Sequence, residues 1–205
     1  AHVDAIRLLN HAITLLQTLP DSPERAQQEL GLYLLLRTPL VFTKGYVAPE
    51  LEHAYMRACE LCRQVGQPPQ LFMVLGGPYA LHLLRGELLA AYKVAEERMA
   101  LAESLHFDLF MQVAHLCLGG PSLFMGHFIK ARTHLEQSLA LYKPQQLGAL
   151  GHLYDPGVMG LTLTAFVLWI LGYPDQALQR SQEALTLARE LSHPFSLAYA
   201  LGWAT

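Results

Sequence analysis

Leu118-Gly119-Gly120-Pro121-Ser122-Leu123-Phe124-Met125-Gly126-His127-Phe128-Ile129-Lys130-Ala131 is the stretch whose pattern decides the fold. It joins a segment free of Asp, Glu, Lys and Arg, Leu109 to Ile129, to a charged amphipathic one, His127 to Lys143. In the second segment Phe128, Ala131, Leu135, Ser138 and Tyr142 recur at helical spacing and form one inner stripe. Gly126 stands between the two, where a backbone without a Cβ closes a tight turn. The unit is a helical hairpin.

The unit repeats. Charge-free stretches also span Gln64 to Leu84 and Pro156 to Pro174, and each leads through a glycine, Gly86 or Gly172, into an amphipathic helix. Glu87 to His106 aligns Leu88, Ala91, Ala95, Met99 and Ala102 on one face, and Tyr173 to Leu191 aligns Ala177, Ser181, Ala184, Leu185 and Ala188. Ala91, Ala131 and Ala177 each stand five residues after their glycine, and small side chains there let two antiparallel helices approach closely. Gly45 begins a variant, with Tyr46 and Val47 lengthening the turn, Pro49 near N1, and Leu51, Ala54, Ala58, Leu61, Cys62 and Val65 as its stripe. The four glycines are 41, 40 and 46 residues apart. One hairpin cannot bury its apolar faces alone, so stacked neighbours must do it.

Composition agrees with extensive burial. The 205 residues are 52% hydrophobic and 15% charged, with a mean hydropathy of +0.24, against about 25% charged in ordinary soluble domains. Disorder is excluded. A net charge of -3 without a Lys/Arg cluster leaves no footprint for a phosphate backbone, so no nucleic-acid partner is expected. The charge-free stretches reach the roughly 20 residues of a membrane span. Their glutamines, histidines, threonines, glycines and prolines point to buried helices instead, so no membrane partner is expected. Three cysteines make no disulfide framework and fit a reducing compartment. No basic region precedes an apolar run in Ala1 to Leu19. The expected location is cytoplasmic.

Asp21 or Ser22 ahead of Pro23, and Asp155 ahead of Pro156, predict capped helix starts. The prolines of Gly76-Gly77-Pro78 and Gly119-Gly120-Pro121 predict kinks inside two first helices. Ala1 to Leu19 has the pattern of a second helix and Phe195 to Thr205 that of a first one, so the chain is expected to be a fragment of a larger protein. The predicted units are 1–19 (partial), 23–66, 69–106, 107–143, 156–192 and 195–205 (partial).

Leu118, Gly119 and Gly126 resemble the tetratricopeptide repeat (TPR), whose first helix ends in Leu-Gly-x-x-Tyr-x-x-x-Gly. Ser122 stands at the aromatic position, and Tyr79 and Ala165 replace the earlier glycine in neighbouring units. A longer resemblance covers almost the whole chain. Leu19-Pro20-Asp21-Ser22-Pro23-Glu24-Arg25-Ala26-Gln27, Lys44-Gly45-Tyr46-Val47-Ala48-Pro49-Glu50, Tyr154-Asp155-Pro156-Gly157-Val158, Leu171-Gly172-Tyr173-Pro174-Asp175-Gln176-Ala177 and Leu191-Ser192-His193-Pro194-Phe195-Ser196 are similar to the C-terminal region of large bacterial predicted ATPases. Members of that family often carry a class III adenylate/guanylate cyclase domain, so the resemblance implies a place in ATPase-linked signalling. No Gly-x-x-x-x-Gly-Lys-Ser/Thr occurs here, and no cyclase site is recognisable.

Other chemistry is sparse. Cys59-Glu60-Leu61-Cys62 has no second ligand pair and falls inside a helix, so small buried side chains are expected rather than a metal or redox centre. The ten histidines form neither a His-Glu-x-x-His pattern nor a partner for a Gly-x-Ser-x-Gly elbow. Of His127 and His134, His134 is expected to face solvent. Lys143 to Gly157 accounts for the 46-residue spacing and gathers His152, Tyr154 and Asp155 as a loop candidate, with Asp155 as a plain N-cap the alternative.

The expected fold is all-α, a right-handed α-solenoid of about five TPR-like antiparallel hairpins. The expected function is a non-catalytic protein-interaction, scaffold or regulatory module without catalytic residues, cofactor or metal. Its first helices would offer Tyr79, His82, His115, Ser122, Thr162, Leu168 and Trp169 to a protein or peptide segment, the parent chain being one source. The alternatives are an inducer-sensing solenoid and a self-association module that forms a homodimer.

Overall fold

The computed structural model describes residues 2–143 and 154–204. Among them are eleven helices and no strand: α1 (His2–Gln17), α2 (Pro23–Lys44), α3 (Pro49–Val65), α4 (Pro68–Val74), α5 (Gly76–Leu84), α6 (Leu88–Leu105), α7 (Asp108–Phe124), α8 (Phe128–Leu141), α9 (Pro156–Ile170), α10 (Pro174–Glu190) and α11 (Pro194–Trp203). The fold is all-α. The chain divides into two compact units, residues 1–94 and 95–205, with the boundary inside α6.

In the first unit α1 packs on α2, α2 on α3, and α3 on both α4 and α5. Of the two capping candidates Ser22 is the cap, accepting the Arg25 N–H at 3.1 Å with Pro23 in the first turn. The Asp21 carboxylate turns instead to the Arg25 guanidinium. The α3 stripe is buried at Leu51, Ala54, Ala58, Leu61 and Cys62. One charge is buried with it: Glu29 of α2 is fully covered and accepts from Arg57 of α3 through Nε at 2.9 Å and Nη2 at 3.2 Å. Burial raises the Glu29 pKa, but the hydrogen bonds and charge of Arg57 outweigh it and leave the carboxyl below its usual range.

In the second unit the hairpins α7–α8 and α9–α10 lie in sequence, α9 packs on α8 and on α7, and α11 packs on α10 and α9. Their turns are built alike. Gly126 and Gly172 take φ of +81° and +84°, a region that disfavours any side chain. The next residues, His127 and Tyr173, donate their N–H groups back to the carbonyls of Ser122 and Leu168 at 2.8 and 2.9 Å, satisfying helix-end acceptors as in a Schellman motif. Gly86 repeats this in the first unit, with φ +74° and Glu87 N–H on the His82 carbonyl. Ala91, Ala131 and Ala177 are all buried, as the repeat pattern predicts.

Helix contact is closest where side chains are missing. A Cβ added to Gly119 of α7 would meet the Cγ and Cδ2 of Leu135 at 2.7 Å, and one added to Gly77 of α5 would overlap the ring of Tyr55 on α3. Leu135 is fully buried in a cluster with Leu116, Leu123, Ala131, Leu163 and Val167, so it has no room to withdraw.

The two prolines interrupt their helices to different extents. At Gly76-Gly77-Pro78 the regular pattern is interrupted for one residue, α4 ending at Val74 and α5 starting at Gly76, while Leu75 between them keeps right-handed helical angles of φ −60° and ψ −17°. Pro78 has no N–H for the Val74 carbonyl, and two glycines add little helix propensity to hold the turn. At Gly119-Gly120-Pro121, α7 continues through Pro121 to Phe124, because the proline stands in the last turn and little helix follows it.

Gly119→Ala should therefore lose about 1–3 kcal/mol to overpacking. Gly31→Ala in α2, where no atom lies within 4 Å of the added carbon, should gain up to about 1 kcal/mol from helix propensity. Urea denaturation of the two variants measures both signs, and equal effects would contradict the close approach at Gly119.

Candidate functional site

The surface expected on the first helices is only partly there. Ser122, Thr162 and Leu168 are buried, so none of them can meet a partner. The two hydroxyls each donate to the carbonyl four residues back in their own helix, Leu118 and Val158, at 2.7 Å. Most of each charge-free stretch is covered: α7 packs on α8 and α9, and α9 on α7, α8, α10 and α11. Tyr79 and His82 of α5 are half-buried. His82 Nδ1 lies 2.5 Å from Glu87, while Arg85 of the same helix end holds Glu52 at 2.8 Å and the Val47 carbonyl at 3.2 Å.

Trp169 is the exposed member, with 65% of its surface accessible. Phe166, one turn before it on α9, and Ile170, directly after it, are both also exposed. Phe166 meets Trp203 of α11 edge to face at 5.3 Å between ring centroids, and Trp203 in turn approaches Phe124 at 6.4 Å and Tyr199 at 6.1 Å. Tyr199 continues to Tyr154 at 5.2 Å. Residues from α7, α9 and α11 thus make one aromatic surface. The sequence reading named only Trp169 and Tyr154 of this set, because nothing in a one-dimensional pattern says that α11 returns to α9.

His152 lies outside the described residues. Its companion Asp155 is fully buried and does more than cap α9. Its carboxylate accepts the Val158 N–H at 2.8 Å and the Tyr142 hydroxyl at 3.1 Å, and its own N–H donates to Ser196 Oγ at 2.8 Å. Ser196 also approaches His193, whose Nδ1 accepts the Ser196 N–H at 3.3 Å and stands 2.8 Å from its hydroxyl. Serine, histidine and aspartate are together here, yet the carboxylate does not orient the imidazole and Ser196 is sealed from solvent. The cluster ties the end of α8 and the start of α9 to the start of α11. Burial is the largest influence on Asp155 and raises its pKa above the usual value, against the pull of its hydrogen bonds.

His134 is half-buried and His127 is exposed, the reverse of the expectation. The cause is His115: its Nδ1 lies 3.1 Å from Nδ1 of His134, joining α7 to α8. Burial lowers the pKa of both imidazoles. Glu103 opposes the shift at His115, while Lys130 and His115 add to it at His134.

In the first unit an open groove of about 570 Å³ runs past Ile6, Asn10, Tyr33, Leu36, Leu40 and His53. Lys44 and Glu50, also on its wall, are paired with each other at 2.9 Å. Cys59 and Cys62 are both buried, and burial raises the pKa of Cys62, away from a reactive thiolate. Among the described residues no group of three or more His, Cys, Asp or Glu side chains is placed to hold a metal ion, and no helix is long and apolar enough to cross a membrane.

No family model matches the chain, and no curated protein matches it. Among solved structures it is similar to the crystal structure of BtubC (BKLC) from P. vanneervenii, with a TM-score of 0.72 and 13% identity over 100% of this chain and 82% of that one. At that identity the likeness concerns the helical fold alone.

Asp155 makes a testable contribution to stability. The folded chain holds its proton more tightly than the unfolded chain does, so that contribution is complete below the unfolded pKa and is lost as pH rises through the raised folded value. Asp155→Asn should remove this pH dependence while keeping an acceptor for Val158, leaving stability at pH 7 unchanged or higher. Asp155→Ala should lose about 1–3 kcal/mol, since the Val158 N–H and Tyr142 hydroxyl are left unpaired. Denaturant midpoints of both variants from pH 4 to pH 8 test this.

Proposed function

We propose that this chain is a non-catalytic protein-interaction or scaffold module, working in the cytoplasm as part of an ATPase-linked bacterial signalling protein. The observation that supports the interaction role is the aromatic surface around Trp169. Soluble chains seldom leave a tryptophan, a phenylalanine and an isoleucine exposed within one turn of a helix unless something covers them. Aromatic side chains are also the anchors on which interface energy concentrates. The segment carrying them, Pro156 to Pro174, has no charged residue whose desolvation a partner would have to offset. The link to signalling ATPases is supported by the motif resemblance alone.

Such a surface would take an apolar or weakly polar peptide segment by burying area around Trp169 and Phe166, with a few hydrogen bonds at its edge. The inducer-sensing reading is favoured by a different observation, the first unit's groove, where Tyr33 and His53 stand among leucines with Asn10 beside them. Its polar groups are partly engaged already, Lys44 with Glu50 and the Tyr33 ring with His53 at 6.3 Å, which leaves less to recognise a ligand.

Peptides selected from a displayed random library against the full chain provide a defined probe. Their affinity for Trp169→Ala should fall at least tenfold, and for a groove variant, His53→Ala, it should not change. Selected peptides that bind Trp169→Ala as tightly as the parent would remove the aromatic surface from the proposal. Native mass spectrometry separates the self-association alternative: a dimer dispersed by Trp169→Ala would assign that surface to a second copy.

A further inference from the structure

We propose that His115 and His134 form a binding site for a divalent transition-metal ion of the zinc type, which clips α7 to α8. The two side chains come from neighbouring helices of one hairpin, and their Nδ1 atoms stand 3.1 Å apart with ring centroids at 5.4 Å. Two imidazoles on one tetrahedral ion, with bonds of about 2.0–2.1 Å, place their nitrogens about 3.4 Å apart. The observed pair is close to that span. The rings face each other through a hydrogen bond, so an ion requires them to pivot until both lone pairs converge, with their centroids nearly in place.

The protonation chemistry fits as well. A hydrogen bond between two Nδ1 atoms, as at the observed 3.1 Å, needs one of the two nitrogens unprotonated. An unprotonated imidazole nitrogen is also what a metal ion binds. The charged groups that act on the pair are Glu103 of α6, which favours a cation beside His115, and Lys130 of α8, which opposes one beside His134. α9, the other helix packed against α7 and α8, has no Asp, Glu, Lys or Arg. With two protein nitrogens, the remaining coordination positions fall to water. Such an open site binds more weakly than a closed four-ligand one, and its effect is on the stability of the hairpin.

Zinc chloride titrated into the full chain by calorimetry at pH 7.5 tests the site. One saturable equivalent is expected, with a raised melting temperature. Affinity should fall at least tenfold in His115→Ala and in His134→Asn, the latter keeping a hydrogen-bonding side chain of similar reach, and should be unchanged in His127→Ala. Circular dichroism of the apo variants establishes that they fold. With Cu(II) as the probe, electron paramagnetic resonance should show hyperfine coupling to two nitrogens in the parent and to one in either variant. No saturable equivalent, or equal affinity in the folded His134→Asn variant, overturns the proposal and leaves the pair as a hydrogen bond between helices.

Discussion

Leu135 occupies the space that a side chain on Gly119 would fill, and the second unit depends on that exchange of volume. Two helices can share a dry, close seam only where one of them lacks side-chain atoms, because interiors are packed too tightly to hold both. Ala131 lies on the same seam, and Leu116, Leu123, Leu163 and Val167 close around Leu135. α9 repeats the device at Gly157 and Gly160, where an added Cβ would meet the Tyr142 ring at 2.5 Å and Leu139 at 3.0 Å. Close seams favour short turns, and the positive-φ glycines at 126 and 172 supply them without strain.

Apolar seams of this kind set distance but not register, which falls to the buried polar groups. Glu29 and Arg57 meet in a two-bond pairing that only one alignment of α2 and α3 satisfies, and Gln17 of α1 reaches the same carboxylate at 3.5 Å. Asp155 does this for the second unit through Tyr142, Val158 and Ser196. The two carboxyls respond to burial differently. Arg57 keeps Glu29 ionised against the cost of desolvation, whereas Asp155 has only neutral donors in contact and its pKa rises. A buried carboxylate is costly in either setting if its partners are removed.

What remains for function is the surface that these seams and knots leave uncovered. On α9 the same charge-free sequence supplies both a buried side, with Val158, Thr162, Leu163, Val167 and Leu168, and an exposed one, with Phe166, Trp169 and Ile170. The helix is apolar all round, so its outer face is uncovered only for want of a neighbour on that side. Trp203 of α11 partly covers Phe166, and with Tyr199 beside it extends the aromatic surface instead of closing it.

The repeat was legible in the sequence because it rests on local requirements. Gly45, Gly86, Gly126 and Gly172 take positive φ, Ala91, Ala131 and Ala177 are buried, and Ser22 and Asp155 cap their helices, each a consequence of backbone geometry that a single residue type announces. The candidate surface was less legible. Ser122, Thr162, Leu168 and Trp169 share charge-free segments, and hydropathy has no term for which side of an apolar helix another helix will cover. Likewise His115 and His134 are 19 residues apart on separate helices and look unrelated until the hairpin brings their Nδ1 atoms together. Local sequence determined where helices start, stop and turn back, since those choices depend on one or two residues at a time. Tertiary structure alone decided which apolar side chains stay exposed and which polar ones meet, because both depend on packing between segments far apart in the chain.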